Sequence, residues 1–385
     1  MPTIPAGAGA GADGDRDAAG PAVDRLDVTV CTVPAESPAA DATPAPPATT
    51  VVLVEAVAGD TAGLGWTYGD PAVGRVVTGA LAPVVRGRGA YDVPAAHDAM
   101  NRAVRGLGRP GLVTAAISAV DIALWDLKAR LIGLPLTALL GAVNREVAVY
   151  ASGGYVPYGQ ARLERQLRGW TEDLGIPRVK IKIGEDRGRA PQRDLDRVHV
   201  AREILGPVPE LYVDADGGYS VKQAVRIAEL CADDGVSWFE EPVPAEHPER
   251  LRQVRDAVMA EVAAGEYGGE PAYFARLAQT GAVDCLQADV TRCGGITGWL
   301  RAAAVAESCG LEISGHGAPH AQAHVAAAVP NLRHLEWSHD HVRVESALFD
   351  GLLDPAGGTV EPGASGAPGL GLAVRREEVR RYRVA

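Results

Sequence analysis

Eight short β-rich runs alternate with helical stretches over residues 147–336, and this rhythm constrains the fold more than any other feature of the sequence. Strands separated by helices need crossover connections, so neighbouring strands pair in parallel. The regular spacing, and the lack of a glycine-rich dinucleotide motif after the first run, favour a closed (β/α) barrel over an open doubly wound sheet. The predicted strands are Val147–Ala151, Arg178–Ile183, Leu211–Ala215, Trp238–Glu241, Ala260–Ala264, Cys285–Ala288, Leu311–Ser314 and His334–Glu336.

A second, smaller domain is predicted in front of the barrel. Arg25–Val33 and Thr50–Val57 have strand patterns, whereas Leu112–Leu131 has apolar residues at helical spacing. These patterns predict an α+β domain over 25–140 and a barrel domain over 141–345. The C-terminal segment, 346–385, is expected to return to the first domain.

Two segments are predicted to lie outside both cores. Residues 1–24 are almost entirely Ala, Gly, Pro and Asp, and Ser37–Thr50 is rich in Ala and Pro. Neither segment can bury enough apolar surface to offset the conformational entropy of the chain. We therefore expect a disordered tail at 1–24 and a mobile loop at 37–50.

Charge and cysteine content exclude several classes of partner. The chain has 37 Lys and Arg against 49 Asp and Glu, a net charge of −12, so phosphate backbones and anionic membranes would be repelled. The sequence has no apolar run of bilayer length and no secretory pattern at its start. Its five cysteines are odd in number and form no CxxC pair, which indicates reduced thiols. These features predict a cytoplasmic protein without nucleic-acid or membrane partners, and we expect a homo-oligomer.

Polar residues stand at the C-terminal ends of seven predicted strands, where (β/α) barrels place their chemistry. One such residue is most simply a surface charge, but seven ends in order are not explained in this way. Because side chains alternate along a strand, Lys180 and Lys182 share a face, and their mutual repulsion with partial burial predicts a lowered pKa for Lys182. The full set is Lys180, Lys182, Asp214, Asp216, Glu240, Glu241, Glu266, Asp289, His316 and Glu336.

Three of these residues, Asp214, Glu240 and Glu266, end three successive strands, which predicts three carboxylates side by side on one rim. Anions in a partly buried cluster need a cation, and hard oxygen donors favour Mg²⁺, with Mn²⁺ as the alternative, over Zn²⁺. Glu241 is expected to face outward and to support the cluster without binding metal.

The ordered motifs resemble those of the enolase superfamily and, within it, the mandelate racemase subgroup. They are KIK at 180–182, VDADGGYS at 213–220, FEEP at 239–242, AAGE at 263–266, DVTRCGGITGW at 289–299, SGHG at 314–317 and HLEW at 334–337. The separations of 26, 26, 23, 27 and 20 residues from Asp214 through to Glu336 are also similar. The resemblance implies an α/β fold, a modified (β/α)7β TIM-like barrel with an α+β N-terminal capping domain that carries substrate lid loops.

The resemblance also implies how the site works on a small carboxylic acid. Asp214, Glu240 and Glu266 would hold Mg²⁺, with Lys182 as one base and the Asp289–His316 pair as another on the opposite face. Removing a proton α to a carboxylate needs a stabilised enediolate, a role expected of the metal, of Lys180 and of a protonated Glu336. Asp216, Trp66, Tyr68, His320 and His341 are predicted substrate contacts, with Trp66 and Tyr68 in a second possible lid segment, Gly63–Asp70.

Several reactions use the same residues. We favour dehydration of a sugar acid to a 2-keto-3-deoxy acid, in which His316 protonates the departing β-hydroxyl. Racemisation or epimerisation of a 2-hydroxy acid is the alternative. A cycloisomerase of the muconate type is disfavoured because that subgroup has Lys where this chain has Asp289, and a non-catalytic metal-binding barrel is disfavoured because the acid/base set is intact.

Overall fold

The structure is a computed structural model that describes residues 20–35, 48–156 and 158–384. The predicted tail up to residue 19 and residues 37–47 of the predicted loop lie outside the described residues. The second strand begins two residues before the predicted Thr50, because Ala48 and Thr49 of the predicted loop pair in antiparallel register with Pro34 and Val33.

The N-terminal domain is a three-stranded antiparallel sheet covered by helices. The strands are β1 (Arg25–Pro34), β2 (Ala48–Ala58) and β3 (Thr61–Tyr68), hydrogen-bonded in that order. The helices are α1 (Ala72–Val76), α2 (Ala82–Val85), α3 (Val93–Ala103), α4 (Leu112–Ile132) and α5 (Leu136–Leu140), and a π-helical turn, Val77–Leu81, joins the first two. Val23 is buried and Ala22 pairs with Gly89, so the ordered domain begins before Arg25.

The second domain is a closed barrel of eight parallel strands. They are β4 (Val147–Gly153), β5 (Arg178–Lys182), β6 (Glu210–Asp214), β7 (Val236–Glu240), β8 (Glu261–Ala264), β9 (Cys285–Ala288), β10 (Glu312–Gly315) and β11 (Leu332–Ser338). Each strand pairs in parallel with the next, and β11 pairs with β4 to close the barrel. This arrangement, with the antiparallel N-terminal domain beside it, confirms the predicted fold class.

A helix follows each of the first seven barrel strands and packs outside the barrel. These helices are α6 (Gln160–Arg168), α7 (Pro191–Leu205), α8 (Val221–Leu230), α9 (Pro248–Arg255), α10 (Pro271–Thr280), α11 (Gly295–Ser308) and α12 (Pro319–Ala326). Shorter helical turns lie at Gly169–Asp173, Glu185–Gly188 and Ala232–Asp234. No helix in the described ranges is both long and apolar enough to cross a bilayer.

The period-two alternation of the strands separates the core from the site. On β5, Val179 and Ile181 join the apolar layer under the helices, whereas Lys180 and Lys182 face the barrel axis. The interior below the lysines is filled by an aromatic cluster with two small residues, namely Tyr150, Tyr212, Trp238, Ala263 and Cys285. The charged side chains of the interior therefore lie at its C-terminal end, above uncharged polar groups such as Gln287 and His334, which pack among the aromatic rings.

Helix α4 fastens the two domains together, because it packs on β3 and on α11. A Cβ on Gly63 would lie 2.2 Å from the backbone nitrogen of Leu127, so only glycine permits this close approach of strand to helix. On its other side, the buried Asp121 accepts hydrogen bonds from the backbone nitrogen and the hydroxyl of Thr297, at 2.9 and 2.7 Å. The mouth of the barrel is thus held against the N-terminal sheet.

The chain after β11 returns to the N-terminal sheet. It forms α13 (His339–Leu348), which runs across the predicted boundary at residue 345, and then β12 (Phe349–Asp350), β13 (Thr359–Val360), β14 (Ala373–Val374) and α14 (Arg376–Tyr382). Arg376 makes two hydrogen bonds of 2.6 Å to Glu55 on β2, and the backbone nitrogen of Val384 donates to Val30 on β1. These contacts tie the end of the chain to the first domain.

Candidate active site

Two lysines and three acids form an ion-pair cluster at the ends of β5, β6 and β7, which we call the lysine side: Lys180, Lys182, Asp214, Asp216 and Glu240. The buried Nζ of Lys180 pairs with Glu240 Oε1 and lies 3.4 Å from Asp214 Oδ2. The Nζ of Lys182 lies 2.6 Å from Asp214 Oδ2 and 3.0 Å from Asp216 Oδ1. The cluster therefore carries one more acid than base.

The predicted lowering of the Lys182 pKa is wrong for this arrangement. Burial lowers the pKa of Lys182, but the carboxylates of Asp214 and Asp216 outweigh burial and hold the pKa well above its ordinary value. The repulsion from Lys180 is weaker than the attraction of Asp214, which the next strand brings into register with Lys182. Lys182 is charged in this arrangement.

The other half of the mouth, which we call the histidine side, consists of Glu266, Asp289, Arg292 and His316. His316 Nδ1 lies 3.0 Å from Asp289 Oδ2, and His316 Nε2 lies 3.0 Å from Glu266 Oε2. Burial lowers the pKa of His316, but the carboxylates around it, Glu266 first, raise it well above the ordinary value. The predicted pairing of Asp289 with His316 is present, and the imidazole is held as a cation.

Sequence reasoning missed Arg292, although it lies inside the quoted DVTRCGG motif. Its Nη1 donates to Glu266 Oε1 at 2.9 Å, and its Nε lies 3.3 Å from Asp289 Oδ2, so one guanidinium joins both acids of the histidine side. Thr291 was also missed. Its backbone nitrogen and hydroxyl both donate to Asp289 Oδ1, at 2.7 and 2.6 Å, which leaves Oδ2 for the imidazole. The signal that could have identified Arg292 is its position three residues after Asp289, within reach of an ion pair with that acid.

Glu336 lies between the two sides and is ionised, which corrects the expectation of a protonated acid. Its Oε1 lies 2.9 Å from Lys180 Nζ, and its Oε2 accepts a hydrogen bond of 2.9 Å from the backbone nitrogen of Gly317. Burial raises the pKa of Glu336, but Lys180 and His316 together hold it well below its usual range. In this state Glu336 accepts hydrogen bonds and does not donate one.

Two family models match this chain. The model "Enolase C-terminal domain-like" covers residues 162–379, and the model "Mandelate racemase / muconate lactonizing enzyme, N-terminal domain" covers residues 26–141. The chain belongs to the enolase superfamily. Within it, the N-terminal match supports membership of the mandelate racemase subgroup.

Relatives in the superfamily carry out several related reactions. D-galactarolactone cycloisomerase of Agrobacterium fabrum is 32% identical over 299 residues, which cover 73% of this chain and 77% of that protein. L-talarate/galactarate dehydratase of Salmonella typhimurium is 30% identical over 300 residues, 76% and 74% of the two chains. The crystal structure of a mandelate racemase/muconate lactonizing enzyme-like protein from Rubrobacter xylanophilus has a TM-score of 0.90 and 48% identity, and the match covers 94% of this chain and 100% of that one. Three solved relatives of 26–28% identity, with TM-scores of 0.85–0.87, contain magnesium.

In this member of the superfamily, each acid predicted to bind metal is paired with a protein cation. Asp214 faces Lys182, Glu240 faces Lys180, and Glu266 faces His316 and Arg292. Glu240 Oε2 also accepts hydrogen bonds from Trp238 Nε1 and Gln287 Nε2, at 3.1 and 2.8 Å. Across the described residues, no three His, Cys, Asp or Glu side chains converge on one point as metal ligands do.

Glu241, which the sequence predicts to support the cluster without binding metal, is buried. It is 3% exposed, its φ is +38°, and its Oε1 has no hydrogen-bond partner among the described residues. Burial, followed by the charges of Glu266 and Asp214, raises the pKa of Glu241 well above its usual range. A buried acceptor without a donor, beside an excess of acids, fits a site for a hard cation.

The segment predicted as a second lid is a strand, so Trp66 is not at the mouth. Trp66 is fully buried at the interface, where its Nε1 donates to Glu345 Oε1 at 3.1 Å. Tyr68 is partly exposed at the end of β3; its hydroxyl donates to the same oxygen at 2.7 Å and its ring stacks on His341 with centroids 3.7 Å apart. We therefore correct the substrate contact predicted for Trp66, because its indole packs inside the domain interface.

The remaining predicted contacts lie at different depths. Asp216 keeps 57% of its side chain exposed at the rim, and its contact with a substrate stays a prediction. His341 lies beside His316, with ring centroids 6.4 Å apart, and burial lowers the pKa of His341 to about 4. His320 is 1% exposed in α12, and neither ring nitrogen has a hydrogen-bond partner among the described residues. His320 is a buried neutral ring in this arrangement, since burial lowers its pKa to about 3.

Proposed function

We propose that this chain is a Mg²⁺-dependent acid-sugar dehydratase, which converts a sugar acid to a 2-keto-3-deoxy acid and water. The observation that carries the proposal is the pair formed by Asp289 and His316, with a 3.0 Å contact at Nδ1 and Nε2 turned toward the acids of the mouth. Asp289 fixes the orientation and tautomer of the imidazole and stabilises its cation. A protonated imidazole is suited to donate a proton to a departing hydroxyl.

The proposed reaction divides its proton transfers between the two sides of the mouth. Lys182, on the lysine side, takes the proton from the carbon next to the carboxylate. His316 gives its Nε2 proton to the β-hydroxyl as the C–O bond breaks, so water leaves and the resulting enol tautomerises to the 2-keto acid. Lys180, which is buried with its charge retained, is proposed to stabilise the negative charge of the enediolate.

We propose that Asp214, Glu240 and Glu266 hold the metal. The fit rests on hard oxygen donors, on the excess of acids and on the buried, unpartnered Oε1 of Glu241 beside them. When bound, Mg²⁺ would supply Lewis-acid stabilisation of the enediolate and would offset the carboxylate charge that keeps Lys182 protonated. Magnesium in solved relatives of the same superfamily supports this proposal.

The proposed substrate is a small polyhydroxy acid. The dehydratase relatives are named for talarate, galactarate and arabinonate, and one solved relative carries L-glucarate. Incubation of the protein with Mg²⁺ and a panel of aldonic and aldaric acids tests the proposal. Appearance of a semicarbazide-reactive 2-keto product is the expected result, and optical rotation that changes without any keto product would instead favour the racemase or epimerase alternative.

Cycloisomerisation is a second candidate, because two relatives of 31–32% identity are cycloisomerases of sugar-acid derivatives. Asp289 does not count against these reactions, because it distinguishes this chain only from cycloisomerases of the muconate type. A D-galactarolactone substrate in the panel separates the two reactions: an isomer of unchanged mass indicates cycloisomerisation, and loss of water indicates dehydration.

A further inference from the structure

We infer that the end of β3 in the N-terminal domain positions the Asp289–His316 pair, with Thr67 and Tyr68 each holding one of the two loops that carry it. Among the described residues, Thr67 and Tyr68 make no hydrogen bond or ring contact with Asp289 or His316 themselves, so we treat both as positioning residues. The inference goes beyond the proposed function and rests on it only for the kinetic part of the test below.

Thr67 holds the loop that carries Asp289. Its side chain is fully buried, and its hydroxyl donates a hydrogen bond of 2.8 Å to the backbone carbonyl of Thr291. The same residue, Thr291, donates twice to Asp289 Oδ1 through its backbone nitrogen and its hydroxyl. Thr67 therefore fixes the residue that orients the carboxylate toward His316.

Tyr68 holds the loop that follows His316, through His341. The two rings are nearly parallel, at an angle of 4° with centroids 3.7 Å apart, and His341 Nδ1 accepts a hydrogen bond of 2.9 Å from the backbone nitrogen of Ala318. A Cβ on Gly317 would lie 2.5 Å from His341 Nδ1, so the imidazole packs directly on the backbone next to His316. The contact thus reaches the residue adjacent to the proposed acid.

The loop held in this way is strained. Gly317 has φ of +55° and Ala318 has φ of +41°, two consecutive left-handed residues that turn the chain from β10 into α12. For alanine this conformation is unfavourable, and it persists only where surrounding contacts fix it. The hydrogen bond from the backbone nitrogen of Ala318 to His341 Nδ1 is such a contact. It can hold the loop only while the His341 ring stays in place, and the stacked ring of Tyr68 keeps it there.

A buried acid keeps Tyr68 in place. Glu345 lies one helical turn after His341 on α13, and its Oε1 accepts hydrogen bonds from both Tyr68 and Trp66. The lysine side has no equivalent support. Among the described residues, Lys180, Lys182 and Asp214 make no hydrogen bond or ion pair with the N-terminal domain. The end of β3 therefore acts on one side of the mouth only.

Hydrogen–deuterium exchange on the unliganded full chain tests the contacts without a substrate. Tyr68→Leu removes the stack, and we expect roughly tenfold faster exchange of the backbone amides at 316–320, with 180–183 unchanged. Thr67→Val is expected to speed exchange at 289–293 by a similar factor. Thr61→Val, at the opposite end of β3, is the matched control, and Tyr68→Phe keeps the ring stack if the leucine variant does not fold.

Kinetic measurements then test whether the contacts of Thr67 and Tyr68 affect proton donation by His316. Thr67→Val and Tyr68→Leu should lower kcat for the keto product roughly 10- to 100-fold with KM within about twofold, while α-proton exchange by Lys182 persists. A parallel loss of both reactions would indicate a structural role alone and overturn the inference, as would exchange rates equal to wild type in both loops. If wild type dehydrates no acid, the proposed function fails while the exchange data still decide the inference.

Discussion

The lysine and histidine sides of the mouth are built in different ways. On the lysine side, Lys180, Lys182 and Asp214 lie on regular strands, and their pairing follows from alternation and register alone. On the histidine side, Asp289 and His316 follow the ends of β9 and β10, so their positions depend on loops. A strand fixes a side chain through its own backbone ladder, whereas a loop needs support from other parts of the molecule.

That support comes from outside the barrel strands. Arg292 joins Glu266 to Asp289, Thr291 orients Asp289, and contacts from β3 hold both loops. The side that carries the proposed acid is therefore the one coupled to the N-terminal domain. Substitutions on the two sides should therefore have different effects. Those on the histidine side should abolish elimination, and those on the lysine side should abolish α-proton abstraction.

The largest expected effect comes from His316→Asn, which removes the proposed acid. Formation of the keto product should fall by roughly 10²- to 10⁴-fold, because proton donation to the leaving hydroxyl is lost. In deuterium oxide, Lys182 should still exchange the α-proton, which NMR of the recovered substrate detects. Lys182→Ala is the reciprocal variant and should lose exchange. Equal loss of both activities in His316→Asn would contradict the separation of the two sides.

A smaller effect is expected for Asp289→Asn, which keeps the shape but removes the charge that pairs with His316. The keto product should fall by roughly 10²- to 10³-fold, since the imidazole loses both its orientation and the stabilisation of its cation. Calorimetry should find Mg²⁺ affinity close to wild type. A variant that loses magnesium as strongly as it loses activity would place Asp289 in the metal site instead.

Variants of the adjacent acids Glu240 and Glu241 test which of the two carboxylates binds magnesium. Glu240→Gln should weaken Mg²⁺ binding by roughly 10- to 100-fold in calorimetry if Glu240 is a ligand as proposed. Glu241→Gln should have a smaller effect, and Glu249→Gln, on the exposed start of α9, is the control. The reverse order would assign the ligand to Glu241, whose buried Oε1 has no donor among the described residues.

Sequence reasoning predicted the strand-borne residues more fully than the loop-borne ones. The period-two pattern of KIK was enough to predict that Lys180 and Lys182 face one axis, and the regular spacing of the strands, without a glycine-rich dinucleotide motif, was enough to predict a closed barrel. Protonation was predicted less well, because the pKa of Lys182 depends on Asp214 from the neighbouring strand. Support from distant segments, such as Thr67 bonding to Thr291 across 224 residues, leaves no local pattern in a sequence.

Arg292 gives a moderate test of how the histidine side is held together. Arg292→Met should lower kcat by roughly tenfold, because Glu266 and Asp289 lose one of the two cations that they share, and His316 alone then offsets their mutual repulsion. Arg292→Lys keeps the charge without the planar fork, so it should recover part of the loss. Arg276→Met, on the outer helix α10, is the control for loss of one positive charge. Wild-type rates in Arg292→Met would show that the guanidinium is not needed to hold the histidine side together.

The smallest effect is expected on the lysine side from Asp216→Asn. Asp216 lies 3.0 Å from Lys182, but 57% of its side chain is exposed, so solvent screens the pair and turnover should change by less than about fivefold. The informative readout is pH. After burial and Asp214, Asp216 is the next influence on the pKa of Lys182, and it raises that pKa. Removing its charge should lower the pKa, so that α-proton exchange by the neutral amine begins at lower pH than in wild type. The measurement is best made in the His316→Asn background, where Lys182 is the base that remains. A shift to higher pH would mean that Asp216 acts on the amine other than through its charge, and the electrostatic account of the lysine side would then be wrong.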